Sequence, residues 1–122
     1  VLGIESRGFI FFLFMAFHLN IVMVPVRKPG KLPYTTITEK YELEYGHDSL
    51  EIHTDAVNAG DKVLIVDDLL ATGGTVEATI RLIERLGANV MGCSFLVELD
   101  FLKGRDKLQG YQVESIIHYD SE

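Results

Sequence analysis

Apolar and polar positions divide this chain into strand-like and helix-like segments in turn. Residues 63–66, Val-Leu-Ile-Val, are an unbroken β-prone run, the pattern of a strand buried on both faces in a parallel sheet. Residues 1–4 and 21–26 carry similar runs, residues 90–99 a longer one, and residues 112–119 a weaker one suited to a sheet edge. Elsewhere the period changes. Val76, Ile80, Ile83 and Leu86 recur at helical spacing, with Gly87 as a stop. Residues 9–17 are continuously apolar, and the run stays nearly so to Val26. A span of that length is enough to cross a bilayer. Basic residues flank both of its ends, however, and no small-residue cleavage site follows. His18 and Asn20 divide it into a buried helix of about eight to ten residues and a buried strand.

Residues 35–45 alternate, with Ile37, Tyr41, Leu43 and Tyr45 offset by polar positions, and residues 50–53 form a returning arm. The spacing predicts a hairpin with His47-Asp48-Ser49 as its turn. The order of elements predicts an α/β fold, a mainly parallel twisted sheet flanked by helices. The flexible hairpin, or flap, is inserted between the strands at 21–26 and 63–66.

The chemistry gathers where strands end. Residues 63–66 lead directly into Asp67 and Asp68, at the carboxyl edge where open α/β sheets bind ligands. Ala71, Thr72, Gly73, Gly74 and Thr75 follow, small enough for the backbone to close round an anion, and they open the periodic helix. Free backbone N–H groups and the positive end of the helix dipole make that turn a phosphate cradle, with the hydroxyls of Thr72 and Thr75 as added donors. Carboxylates only accept hydrogen bonds, so a pair beside a phosphate site suits a vicinal diol or the water shell of a metal. A ribose 5-phosphate offers the phosphate and the diol together. No Lys-Ser/Thr follows the glycines, which excludes a P-loop, and the G-x-G-x-x-G dinucleotide pattern is missing.

Other strand ends supply cations. Arg7 follows residues 1–4 and suits a pyrophosphate or a purine edge. Arg27, Lys28 and Lys31 follow residues 21–26, where three cations in an acidic chain call for an anionic partner such as pyrophosphate with Mg²⁺. Residues 103–107 read as a solvated turn, long enough for one turn of helix. The 122 residues are one domain's worth. A formal charge of −7 excludes the basic stripe of a nucleic-acid binder. Cys93 is the single cysteine, in an apolar run, and reads as a buried structural thiol of a reducing compartment. His18, His47, His53 and His118 have no metal-ligand spacing and receive no role.

The run from Val63 to Thr75 resembles the phosphoribosyl pyrophosphate (PRPP) motif of the type I phosphoribosyltransferases, in the wording of members that use adenine. Glu5-Ser6-Arg7-Gly8-Phe9, the Val-Pro-Val-Arg-Lys-Pro-Gly-Lys-Leu-Pro run at 24–33, Tyr41-Glu42-Leu43-Glu44-Tyr45-Gly46 and Leu102-Lys103-Gly104-Arg105 match that family in its order. The resemblance implies transfer of phosphoribose from PRPP to adenine, giving AMP and pyrophosphate, in a cytoplasmic homodimer of purine salvage. It implies a requirement for Mg²⁺ held mainly by PRPP and water, with no metal ligand assigned to the chain. Asp67 and Asp68 would hold the ribose diol, residues 71–75 the 5-phosphate, and Arg7, Arg27, Lys28 and Lys31 the pyrophosphate or base. Glu44, which spacing alone does not separate from Glu39 or Glu42, would exchange a proton with the purine as N9 attacks C1′. Tyr45 would shield the oxocarbenium-like centre from water.

Residues 1–122 would then be a single catalytic domain, with a small hood over the base lying upstream of Val1. A transferase for another base, and a regulatory protein that senses PRPP on the same fold, are the alternatives. One departure stands out. Phe12-Leu13-Phe14 occupies the place of a glycine and two prolines, in a helix that commonly joins the family's subunits. Extra large side chains in a close-packed layer require compensation elsewhere.

Overall fold

The computed structural model describes residues 1–43 and 46–121. Strands β1 (Leu2–Ile4), β2 (Val24–Val26), β5 (Lys62–Leu70), β6 (Asn89–Leu99) and β7 (Val113–Tyr119) form one parallel sheet in the order β2-β1-β5-β6-β7. Strands β3 (Thr36–Leu43) and β4 (Gly46–His53) form a separate antiparallel hairpin. Helix α1 (Gly8–Leu19) joins β1 to β2, and α2 (Gly74–Arg85) joins β5 to β6. The predicted architecture is therefore the observed one, with the flap between β2 and β5.

Alternation along β1 shows why a helix can sit on each face. Leu2 and Ile4 point into the main core with Val26, Ile65, Val76 and Ile83. Gly3, between them, points the other way and receives the ring of Phe12. A Cβ at Gly3 would lie 2.4 Å from that ring. The glycine leaves room for that ring against the sheet, while Leu13 and Phe14 face outward. The predicted apolar stripe of α2 is buried at Val76, Ile80 and Ile83, each contributing roughly 2 kcal/mol by area removed from water.

Helix α1 departs from expectation. It was expected to be buried, but only one stripe, including Phe12 and Ala16, packs on the sheet. Phe14 and Phe17 are 73% and 90% exposed, and Ile10 and Leu13 are exposed beside them. A helix that is apolar all round satisfies only one side against a single sheet, so the other side faces outward. It ends at Leu19, with Asn20 left-handed at φ 55°. No helix among the described residues is long and apolar enough to cross a membrane.

The hairpin turn is also corrected. His47, Asp48 and Ser49 lie inside β4, opposite Glu42, Tyr41 and Lys40, and the ladder continues to Leu43 and Gly46. Asp48 can sit in a strand because its charge is met by the Lys28 ammonium. Arg27 and Glu51 exchange both backbone hydrogen bonds, 3.0 and 2.7 Å, and so join the hairpin to the end of β2. From α2, Arg81 and Arg85 donate to the backbone carbonyls of Lys40 and Thr38 at 2.9 and 2.7 Å. Both guanidinium groups also face Glu39, at 3.7 and 3.6 Å.

A candidate active site at the carboxyl edge of the sheet

β1 and β5 are parallel neighbours whose connections leave in opposite directions across the sheet, which makes the gap between their carboxyl ends the topological switch point. Residues 5–7, 67–73 and 75 meet there, around a cavity of ≈ 380 Å³ closed on one side by Lys28 and Tyr41. β5 runs on through Leu70, so Asp67 and Asp68 lie inside the strand near its end rather than beyond it. Asp68 pairs with Arg7 (Nε to Oδ2, 3.1 Å), whose side chain is 76% exposed and free to turn toward a ligand. Asp67 accepts the Asp68 amide at 2.9 Å. Burial pushes its carboxyl from an ordinary 3.8 up to about 8, the Asp68 amide offsetting part of this and the Asp68 carboxylate adding to it. Near neutral pH Asp67 therefore keeps its proton, able both to donate to and to accept from neighbouring hydroxyls.

The turn after β5 has the geometry of an anion cradle. Gly73 caps α2 at φ +87° with no side-chain hydrogen bond to the helix N-terminus, so the first amides of α2 are left for a ligand. Gly74 is buried and Thr75 lines the cavity. Behind the turn lies the segment expected as a solvated turn with room for one turn of helix. Residues 104–108 are a 3₁₀ turn with Gly104 and Leu108 buried. A Cβ at Gly104 would lie 2.3 Å from the Ala71 carbonyl oxygen, and one at Gly73 would lie 2.6 Å from the Gly104 carbonyl oxygen. The two backbones touch with no room for a side chain on either.

The four predicted cations divide. Arg7 and Lys28 line the cavity, whereas Arg27 and Lys31 do not. Instead Arg27 Nε and Lys31 Nζ donate to the Glu5 carboxylate at 3.1 and 2.7 Å, and the Lys28 amide adds a third bond at 3.0 Å. Burial would raise the Glu5 carboxyl, but the bonds from Lys31, the Lys28 amide and Arg27 outweigh it and hold the group below its ordinary value. Lys28 Nζ reaches the Tyr41 hydroxyl at 3.2 Å and pairs with Asp48, so it ties the hairpin to the β2 loop. Glu5, Tyr41 and Asp48 were missed from the sequence. A basic cluster in an acidic chain needs counter-charges, but nothing in the spacing says which carboxylates supply them. Glu44 and Tyr45 lie outside the described residues.

One group of metal-ligand type exists among the described residues, Glu98, Asp100 and His118. It draws in a histidine that had received no role. Its centre is already held by the Arg105 guanidinium, bonded twice to Glu98 at 2.6 and 3.2 Å, which supplies the positive charge a metal would bring.

Comparison with known proteins gives a consistent answer. The model of the phosphoribosyl transferase domain matches residues 1–120. Adenine phosphoribosyltransferase of Christiangramia forsetii is 61% identical over 119 residues, 98% of this chain and 70% of the relative. The crystal structure of the Thermoanaerobacter pseudethanolicus enzyme of that name superposes with a TM-score of 0.95 at 56% identity, over 97% of this chain and 69% of its own. The Saccharomyces cerevisiae enzyme, complexed with an imino-altritol bisphosphate and adenine, gives 0.91 at 48% identity, over 94% of this chain and 65% of its own.

Proposed function

This chain belongs to the phosphoribosyl transferase domain family, and from that membership we propose how its cavity works. It transfers the 5-phosphoribosyl group of PRPP to adenine, giving AMP and pyrophosphate, the purine-salvage reaction for which its relatives are named. The observation that carries the reading is the meeting, in one cavity, of a carboxylate pair and an uncapped glycine turn at the switch point.

The 5-phosphate sits on residues 71–75, where the α2 amides and the Thr72 and Thr75 hydroxyls donate to it. The ribose 2′ and 3′ hydroxyls bond Asp67 and Asp68. Fixed at both ends, the sugar presents C1′ to the base without a further search for orientation. Arg7 and Lys28 face the pyrophosphate, and the charge that develops on the leaving group is met by donors already in place. Removing one such donor typically costs about 3 kcal/mol of transition-state stabilisation. Arg27 and Lys31 act from behind, through Glu5, by fixing the loop that carries Lys28. Glu44 exchanges the purine proton as N9 attacks, and Tyr45 excludes water.

Mg²⁺ fits this donor set. The Asp67 and Asp68 carboxylates at the cavity offer the hard oxygen acceptors that suit the ion or its water shell. Delivered on PRPP and held mainly by the ligand and water, the ion supplies charge neutralisation on the pyrophosphate oxygens. The exposed face of α1 supports a homodimer, since a contiguous apolar surface built from Ile10, Phe14 and Phe17 calls for a partner. A cytoplasmic setting is part of the same reading.

The test is calorimetric titration of PRPP with Mg²⁺ into the purified chain, followed by adenine on the same sample with AMP measured. Binding followed by AMP formation is the expected result. A folded sample that does not bind PRPP overturns the reading.

A further inference from the structure

The phosphate turn touches protein on the side away from the cavity, and what it touches is held by an ion pair whose carboxylate is buried and whose guanidinium is half exposed. Glu98 is 4% exposed and lies beside Leu70 in the β5–β6 register, one residue before the turn begins. Arg105 bonds its carboxylate through two nitrogens, Nη2 at 2.6 Å and Nε at 3.2 Å, and sends Nη1 to the Val113 carbonyl at 2.9 Å. The Ser115 hydroxyl adds a third bond to Glu98 at 2.7 Å. A guanidinium fork bound in this way fixes direction as well as distance. It bridges β6 and β7 and leaves its neighbour in the chain, Gly104, against the carbonyl of Ala71 and the amide of Gly73.

We propose that Glu98, Arg105 and Gly104 form a buttress that sets the height of the phosphate turn. Glu98 and Arg105 are thus positioning residues for the 5-phosphate, although neither lines the cavity. The inference rests on residues 71–75 being the phosphate site. Its physical content is that backbone amides bind phosphate only when they converge on it. The turn has no side-chain cap to hold them, so contact with a fixed neighbouring backbone does so. Lysine at 105 keeps the charge but replaces the fork with a single mobile ammonium, so charge and positioning are separable.

The experiment titrates ribose 5-phosphate and, separately, pyrophosphate into the wild-type chain and the variants Arg105→Lys, Glu98→Gln and Gly104→Ala, with melting midpoints recorded. Thr75→Val serves as the direct phosphate-site control. Arg105→Lys and Glu98→Gln are expected to weaken ribose 5-phosphate roughly ten- to hundredfold, the scale of a displacement of about 1 Å, and pyrophosphate by less than about twofold. In turnover, KM for PRPP rises while KM for adenine holds. Wild-type affinity for ribose 5-phosphate in a folded Arg105→Lys chain would overturn the proposal, and so would a parallel loss for both ligands. If Thr75→Val loses ribose 5-phosphate affinity while Arg105→Lys does not, the buttress alone fails. If the wild-type chain binds no ribose 5-phosphate, the phosphate reading fails and takes the buttress with it. Gly104→Ala, which forces a Cβ into the Ala71 carbonyl, adds a steric arm, and Arg105→Lys keeps the test decisive should that chain not fold.

Discussion

Replacing Asp67 by Asn should make the ligand-free protein more resistant to heat, and increasingly so as the pH rises. The carboxyl titrates near its ordinary 3.8 in the unfolded chain and at about 8 in the native one. Below the lower value both states hold the proton. Between the two values the unfolded chain has released it while the native protein keeps it, so unfolding is favoured by about 1.4 kcal/mol for every pH unit gained. Above about 8 both states are ionised and the slope vanishes. Asparagine has the shape of the protonated acid, can still accept the Asp68 amide through its carbonyl oxygen, and does not titrate. Between about pH 6 and pH 9 the variant should therefore gain up to ~3 kcal/mol on the wild type, most of it before pH 8. In a domain of this size that is a widening of roughly 10 °C in the gap between melting midpoints. Thermal unfolding by circular dichroism across that range, in one buffer salt, reads it directly. A gap that stays level from pH 6 to pH 9 would mean Asp67 is ionised throughout, and would refute the titration. Adding PRPP with Mg²⁺ should reverse the ranking, because only the wild type can become a dianionic pair beside the sugar.

Lys28→Met should raise the dissociation constant for pyrophosphate about tenfold or more, whereas Lys31→Met, which acts only through Glu5, should change it less than about threefold; equal losses would show that the cations act as a diffuse field. Glu44→Gln should lower kcat by about two orders of magnitude or more with PRPP affinity retained, as general acid–base groups do, and normal turnover would place the proton elsewhere. A charge at Phe17, as in Phe17→Asp, should dissociate the proposed dimer, read as a halved mass in analytical ultracentrifugation, with the monomer still folded because that ring is 90% exposed. Persistence of the dimer would move the interface to another face.

The backbone architecture was legible because its signals are periodic. The apolar runs at 63–66 and 90–99 and the stripe through Val76, Ile80 and Ile83 each admit one arrangement, and the glycines fall after a strand by counting alone, whereas the carboxylates lie inside β5 near its end. What stayed hidden depends on contacts between distant segments. That Glu5 would take two of the cations was invisible, because it pairs residues 22 and 26 positions apart. The hairpin turn was misplaced because Asp48 looks like a turn residue until Lys28 supplies its partner. The outward side of α1 could not be read from a helix with no polar face to mark it. Gly104 resembled any loop glycine, and its purpose shows only when the Ala71 carbonyl arrives against it.

The joint between Arg27 and Glu51 has a thermodynamic consequence. Among the described residues the hairpin meets the end of β2 through that pair of reciprocal backbone hydrogen bonds, and otherwise it rests on Leu50 and Ile52, buried in the common core, and on side chains such as Arg81, Arg85 and Lys28. Its own ladder is complete from Thr36 to Leu43 without drawing on the larger sheet. The hairpin is thus a paired unit of its own, seated on the common core rather than continuous with the larger sheet. Amides of β3 and β4 should exchange with deuterium through a low-energy opening that leaves β1, β5 and β6 protected until the whole molecule unfolds. A lid over a reaction that must admit a large charged substrate and release two products can work in this way. Its two strands would stay paired with each other while their contacts with the core loosen.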